Sequence, residues 1–152
     1  MTTDSGFGIT DEALGTLVRG HYILSDGERL DDDYYSLTCN LDGRAVGFIA
    51  HSLEPDAVRG MLPRLRHVFD QHEALHRLAV EAIVNEFSEE APSRGEVIDA
   101  LRDLVLESVE VFPDNHVVLG LTDSCGLHFM DGYWPAVRFN GDDGVVEVTV
   151  ES

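Results

Sequence analysis

Lysine is absent from this chain: all ten basic residues are arginine, set against 29 Asp and Glu, and the formal net charge is −19. That balance repels phosphate backbones and anionic membranes, because sequence-independent binding to either depends on Lys and Arg displacing counterions. Without lysine there is also no P-loop, and Gly6 and Gly8 precede no strand-turn-helix unit, so the familiar nucleotide-binding loops are excluded. Cysteine is scarce: Cys39 and Cys125 alone cannot build a closed multi-cysteine zinc site. No apolar run approaches the roughly 20 residues that a membrane-spanning helix needs. The segment from Met1 to Thr10 has neither a positive region nor an apolar stretch. These absences predict a soluble cytoplasmic protein with both thiols free and buried.

What is present is an ordinary globular complement: 152 residues, 43% hydrophobic. That is one domain's worth of chain, able to remove roughly 70% of its unfolded surface from water. We expect residues 1–10 to be a flexible N-terminus and 11–152 a single domain. The runs Leu17 to Leu24, Tyr34 to Asn40 and Ala45 to Ala50 alternate like strands, and Asp42-Gly43 between the last two is a strong hairpin signal. From Pro55 to Phe87 the period becomes helical, and a further helix spans Arg94 to about Leu104. Leu106 to Phe112, His116 to Leu121, Leu127 to Met130, Trp134 to Phe139 and Val145 to Val150 then alternate again. Strands, helices and strands in separate blocks predict an α+β fold with a largely antiparallel sheet and the helices on one face. The first three strands should form one meander and those after Leu106 another.

Residues His72-Glu73-Ala74-Leu75-His76 spell the pattern that zinc peptidases place on a helix. Histidines four apart project from one helical face and can share a zinc, while Glu73 beside the first could act as general base on a metal-bound water. A third ligand would be required, and the acids downstream, Glu81, Glu86, Glu89 and Glu90, are too ordinary in so acidic a chain to identify it. The same residues also suit a purely structural role. In one continuous helix Val58, Leu62, Leu65, Phe69, His72, His76, Ala79, Ile83 and Phe87 share an arc of about 100°, with Glu73 placed to pair with Arg77. If the helix breaks near Asp70, that residue and Glu73 form a capping box instead. Pro63 should in any case kink a straight helix.

Asp123-Ser124-Cys125-Gly126-Leu127-His128 brings a thiol and an imidazole close in sequence. On an extended segment, side chains three apart face opposite ways, so a Cys–His pair would require a turn here. Two acidic aromatic clusters remain. Asp31, Asp32 and Asp33 adjoin Tyr34 and Tyr35, and Asp131 adjoins Tyr133 and Trp134. Carboxylates speed encounter with a basic partner and large rings supply anchors; alternatively the acids solvate turns and the rings pack inward.

The order of short strands, a helical middle, Leu106-Glu107-Ser108-Val109-Glu110-Val111, and Gly126-Leu127-His128-Phe129 before Asp131-Gly132-Tyr133-Trp134 resembles uncharacterised bacterial α+β domain families. Some of these occur beside polymorphic toxins and are proposed as immunity proteins. The resemblance implies an immunity-type protein, and together with the acid excess it leads us to expect a non-enzymatic interaction protein without a cofactor that binds a basic protein partner. Asp31, Asp32, Asp33, Tyr35, Asp131, Tyr133 and Trp134 are the candidate binding residues. The alternative is a small zinc-dependent hydrolase with His72 and His76 as metal ligands and Glu73 as the catalytic base.

Overall fold

Alternation of apolar and polar side chains decides which face of each strand is buried, and here it builds one large sheet with a single covered face. The computed structural model describes residues 8–152; positions 1–7, part of the expected flexible segment, lie outside the described residues. In chain order come β1 (Gly8–Asp11), β2 (Gly15–Val18), β3 (His21–Ile23), β4 (Arg29–Asp31), β5 (Tyr35–Leu41) and β6 (Arg44–Ala50). Three helices follow, α1 (Pro55–Asp70), α2 (His72–Phe87) and α3 (Arg94–Asp103), and then β7 (Leu104–Val111), β8 (Val117–Asp123), β9 (Trp134–Phe139) and β10 (Val145–Glu151). The main sheet has the order β10-β9-β8-β7-β6-β5-β2-β1, and β3 and β4 form a separate ribbon.

The fold is α+β and mostly antiparallel, as the block arrangement of the sequence predicts. The β5–β6 hairpin turns through Asp42 (φ 54°) and Gly43 (φ 85°), the paired positive φ values of the tight turn that Asp-Gly favours. Among the described strands only β6 and β7 run parallel, from Gly47 opposite Ser108 to Ala50 opposite Val111. Parallel neighbours require a long crossover, and α1 to α3 provide it. Val109, Val111, Leu119, Leu121, Val137 and Phe139 face the helices and are buried. Their neighbours Ser108, Glu110, Val118 and Arg138 occupy the opposite face.

Helix α1 begins with Pro55 in its first turn and buries Val58, Met61, Leu62, Leu65 and Val68. It runs on through Pro63, contrary to the expected interruption there; Pro63 lies on the exposed side. Two arginines on α1 reach loops at opposite ends of the strand order. Arg64 donates to Asn115 O (3.1 Å), Asn140 O (2.7 Å) and Asp143 Oδ1 (2.6 Å). Arg66 donates to Asp11 Oδ1 (2.6 Å), a buried carboxylate whose other oxygen closes the β1–β2 turn on the N–H groups of Ala13 and Leu14.

Several expectations are corrected. Residues 8–10 belong to β1, because Ile9 and Asp11 are buried against the core. The run Leu17 to Leu24 divides at Arg19-Gly20, and its second half leaves the main sheet to form the β3–β4 ribbon. The helical run breaks at Gln71 (φ −107°, ψ 20°), which is the N-cap of α2 without a side-chain cap bond. Asp70 does not cap, because the backbone there still belongs to α1, with Gln71 N–H donating to His67 O at 2.9 Å. The break resets the buried face to Leu75, Ala79, Val80 and Ile83, leaving His72 and His76 half-buried and Phe87 exposed. Leu127 to Met130 is a loop rather than a strand. Cys39 is buried, but Cys125 is exposed. No helix among the described residues is long and apolar enough to cross a membrane.

Candidate functional site

The loop from Ser124 to Tyr133 is held by a carboxylate instead of a strand partner. Asp123, the last residue of β8, accepts from the N–H groups of His128 (2.7 Å) and Phe129 (2.9 Å) through Oδ2. These bonds consume donors that a strand would present to its neighbour, which explains why an apolar run folds here as a loop. Cys125 Sγ donates to Asp123 Oδ1 at 3.4 Å. The turn thus brings the thiol and His128 to the same side, which the extended reading did not expect. Asp103, at the end of α3, completes the group: its Oδ2 lies 3.0 Å from His128 Nε2, and its backbone carbonyl accepts from both the N–H and the hydroxyl of Ser124. The ligating atoms of Asp103, Cys125 and His128 all lie within 4.8 Å of one another.

Electrostatics here oppose thiolate chemistry in the free protein. The Leu127 N–H favours a Cys125 thiolate, but desolvation, the bond to Asp123 and the nearby Asp103 carboxylate outweigh it and raise the thiol pKa. An activated nucleophile needs the reverse. Asp103 is held well below the usual carboxylate range by its bonds from Arg102 and His128. At Asp123 desolvation pushes upward, and the Phe129 and His128 N–H groups overcome it to lower the pKa.

Beside this cluster a groove of about 440 Å³ is lined by Glu107, Thr122, Asp123, Asp131, Tyr133 and Trp134, among others. Tyr133 is 48% exposed and Trp134 38%. Glu107 Oε2 accepts from the Thr122 hydroxyl at 2.5 Å, which fixes one carboxylate on the wall. Asp131, Tyr133 and Trp134 of the predicted binding set are therefore assembled at one place. Glu107 and Asp123 complete that place, and the strand pattern gave no reason to single them out.

The other predicted cluster lies elsewhere, where the ribbon returns to β5, beyond the opposite half of the sheet. Asp31 pairs with Arg29 at 2.8 Å, and Asp32 and Asp33 follow it at the end of the ribbon. Tyr35 is only 2% exposed and belongs to the core, because β5 points it toward the helices. The accessible ring is that of Tyr34, half-buried and edge-on to His51 with the ring centres 5.9 Å apart; His51 in turn stacks on Phe112 with centres 4.5 Å apart.

The His72-to-His76 string begins α2. His72 Nδ1 donates to Phe69 O at 2.8 Å, and Nε2 faces Asp42 Oδ2 at 3.1 Å. His76 Nε2 instead donates to Leu104 O at 2.6 Å, drawing its ring toward β7. The donors that converge are those of Asp42, His72 and Glu73, and His76 is not among them. At His72 desolvation lowers the pKa, but the bonds to Phe69 O and Asp42 outweigh it, and the net shift is upward from 6.5. A raised folded-state pKa means that the stabilisation is complete below the unfolded value of 6.5 and is lost as pH rises through the folded value. We therefore expect Asp42→Asn, which keeps a residue tolerant of positive φ, to destabilise the protein more at about pH 5.5 than at about pH 8.5. Urea midpoints at the two pH values measure this. Equal losses at both would show that His72 is not held as an imidazolium.

Sequence reading had no local signal for Asp103, which arrives from the end of a helix far upstream. No protein-family model, curated protein or solved structure matches the chain.

Proposed function

We propose that this is a non-enzymatic, acidic interaction protein of the immunity type, which occludes a basic protein partner. One observation carries the reading: Tyr133 and Trp134 stand accessible in a groove whose walls hold Glu107, Asp123 and Asp131. Carboxylates around exposed rings offer a cationic side chain both charge and a flat apolar surface, and aromatic anchors with a charged rim are the usual composition of binding hot spots. The net charge of −19 would steer a basic partner toward the surface from a distance. In a basic toxin, the acidic groups would take the place of the phosphates it otherwise engages.

Trp134 is the chain's only tryptophan, so its emission reports directly on the groove. Titration with a synthetic peptide alternating arginine and leucine should give a saturable emission change whose affinity falls steeply with salt, since steering is screened beyond about 10 Å at 0.1 M. Asp131→Asn should mainly slow association. Tyr133→Ala should speed dissociation, with a loss of about 2 kcal/mol, roughly thirtyfold in Kd. Affinity that stays flat with salt would refute the electrostatic mechanism, and an unchanged Kd in Tyr133→Ala would remove the groove as the site.

A further inference from the structure

We infer that Cys125, His128 and Asp103 form a binding site for a zinc-class divalent cation, separate from the His72 string and independent of whether a protein partner uses the neighbouring groove. The three side chains come from two elements, the end of α3 and the loop after β8, and their sulfur, nitrogen and oxygen donors already lie within 4.8 Å of one another. A tetrahedral zinc, with Zn–S of about 2.3 Å and Zn–N of about 2.0–2.1 Å, sets neighbouring donors roughly 3.5 Å apart. Small side-chain movements would close the set, and the 3.0 Å contact from His128 Nε2 to Asp103 Oδ2 is already at that scale. One thiolate, one imidazole and one carboxylate select zinc or a similar borderline ion over magnesium or calcium, which take oxygen ligands. Three protein ligands leave a fourth position open to water or to a group from a bound molecule.

Binding replaces the Cys125 S–H bond by an S–metal bond and the His128 Nε2–H bond by an N–metal bond; both protons leave to solvent, and the neutral ring binds with its remaining proton on Nδ1. Asp123 Oδ1, which now accepts from the thiol at 3.4 Å, is then freed toward the open position. Arg102 occupies the metal's place electrostatically in the free protein: its Nε donates to Asp103 Oδ1 at 2.9 Å and an Nη to Oδ2 at 3.3 Å. Its side chain is largely exposed, so it can swing away when a cation arrives. Bound metal would fasten the Ser124-to-Tyr133 loop to α3 at two further points.

The test uses the full chain after chelator treatment. Zinc added in the presence of excess magnesium should bind with one equivalent per chain, release protons and raise the thermal midpoint. Cobalt should give the near-ultraviolet thiolate charge-transfer band. Cys125→Ser and His128→Ala should weaken zinc binding by more than the roughly 10–100-fold that an outer-shell partner typically costs, while Arg102→Gln should tighten it. All three positions are exposed, and circular dichroism confirms that each variant is folded before binding is compared. Three results would each overturn the site: zinc affinity no greater than that for magnesium, affinity unchanged in both Cys125→Ser and His128→Ala, or loss of the ion in His72→Ala alone.

Discussion

Replacing Arg64 with methionine should lower the unfolding free energy by about 3 kcal/mol at neutral pH, more than any surface substitution in the protein. The Arg64 side chain is only 9% exposed, and its guanidinium makes three hydrogen bonds, to Asn115 O, Asn140 O and Asp143 Oδ1. Methionine fills the space but leaves two carbonyls and a carboxylate without their shared donor. Asp143 retains His67 Nε2 at 2.6 Å, so its charge is not wholly orphaned. Arg64→Lys should lose an intermediate amount, because an ammonium cannot reproduce a planar fork bonding three acceptors. The pH dependence gives a second readout. Desolvation works against the Asp143 carboxylate, but His67 and Arg64 lower its pKa below 3.8. Its contribution is therefore present above that unfolded value and lost as pH falls through the folded one. Urea unfolding at pH 7 and at about pH 2.5, below that unfolded value, checks both, and a loss at pH 7 below about 1 kcal/mol would mean that the three bonds do not act together.

Phe48→Ala should cost about 3–5 kcal/mol, whereas Ile49→Ala, one residue along the same strand, should cost about 1 kcal/mol or less. Phe48 is fully buried, pairs across the sheet with Leu37 and Val109, and sets its ring 6.2 Å from that of Phe69 on α1. Ile49 points to the uncovered face, between Ser36 and Glu110. Chemical denaturation of both variants measures the asymmetry directly. Similar losses would show that something also covers the second face.

The elements that the sequence revealed are those whose order depends on neighbours in the chain. The alternation in Trp134 to Phe139 and Val145 to Val150 matches strands to within a residue, and Asp42-Gly43 marked its hairpin because that turn needs two positive φ values. Inside the run Leu17 to Leu24, Gly20 is a usable signal for the division, because an isolated glycine often interrupts a strand, although the alternation continues across it. The break at Gln71 lies one residue from the alternative break near Asp70, but the capping box that suggested it does not form, and neither glycine nor proline stands there. The candidate site was partly legible. Tyr133 and Trp134 beside Asp131 could be seen as a cluster, but whether Tyr35 points inward depends on the strand's phase against the helices. The spacing of Cys125 and His128 was visible; their convergence depends on Asp123 capturing two N–H groups and on Asp103 arriving from another element. Likewise, the spacing of His72 and His76 suits one metal, while tertiary acceptors at Asp42 and Leu104 give the two rings different partners.

The parallel seam between β6 and β7 has a further consequence, for the order in which the molecule assembles. Among the described strands, every other contact in the main sheet except that of β2 with β5 joins strands adjacent in the chain, so its closure entropy is small and most of each half can search for its structure locally. Gly47 and Ser108 can meet only after the chain has looped out the whole of α1 to α3. The helices in that loop bury the sheet face they cross, and their packing is what compensates for bringing such distant segments together. The seam is thus where local folding ends and cooperative folding begins: neither half-sheet has a covered face until both share the same helices.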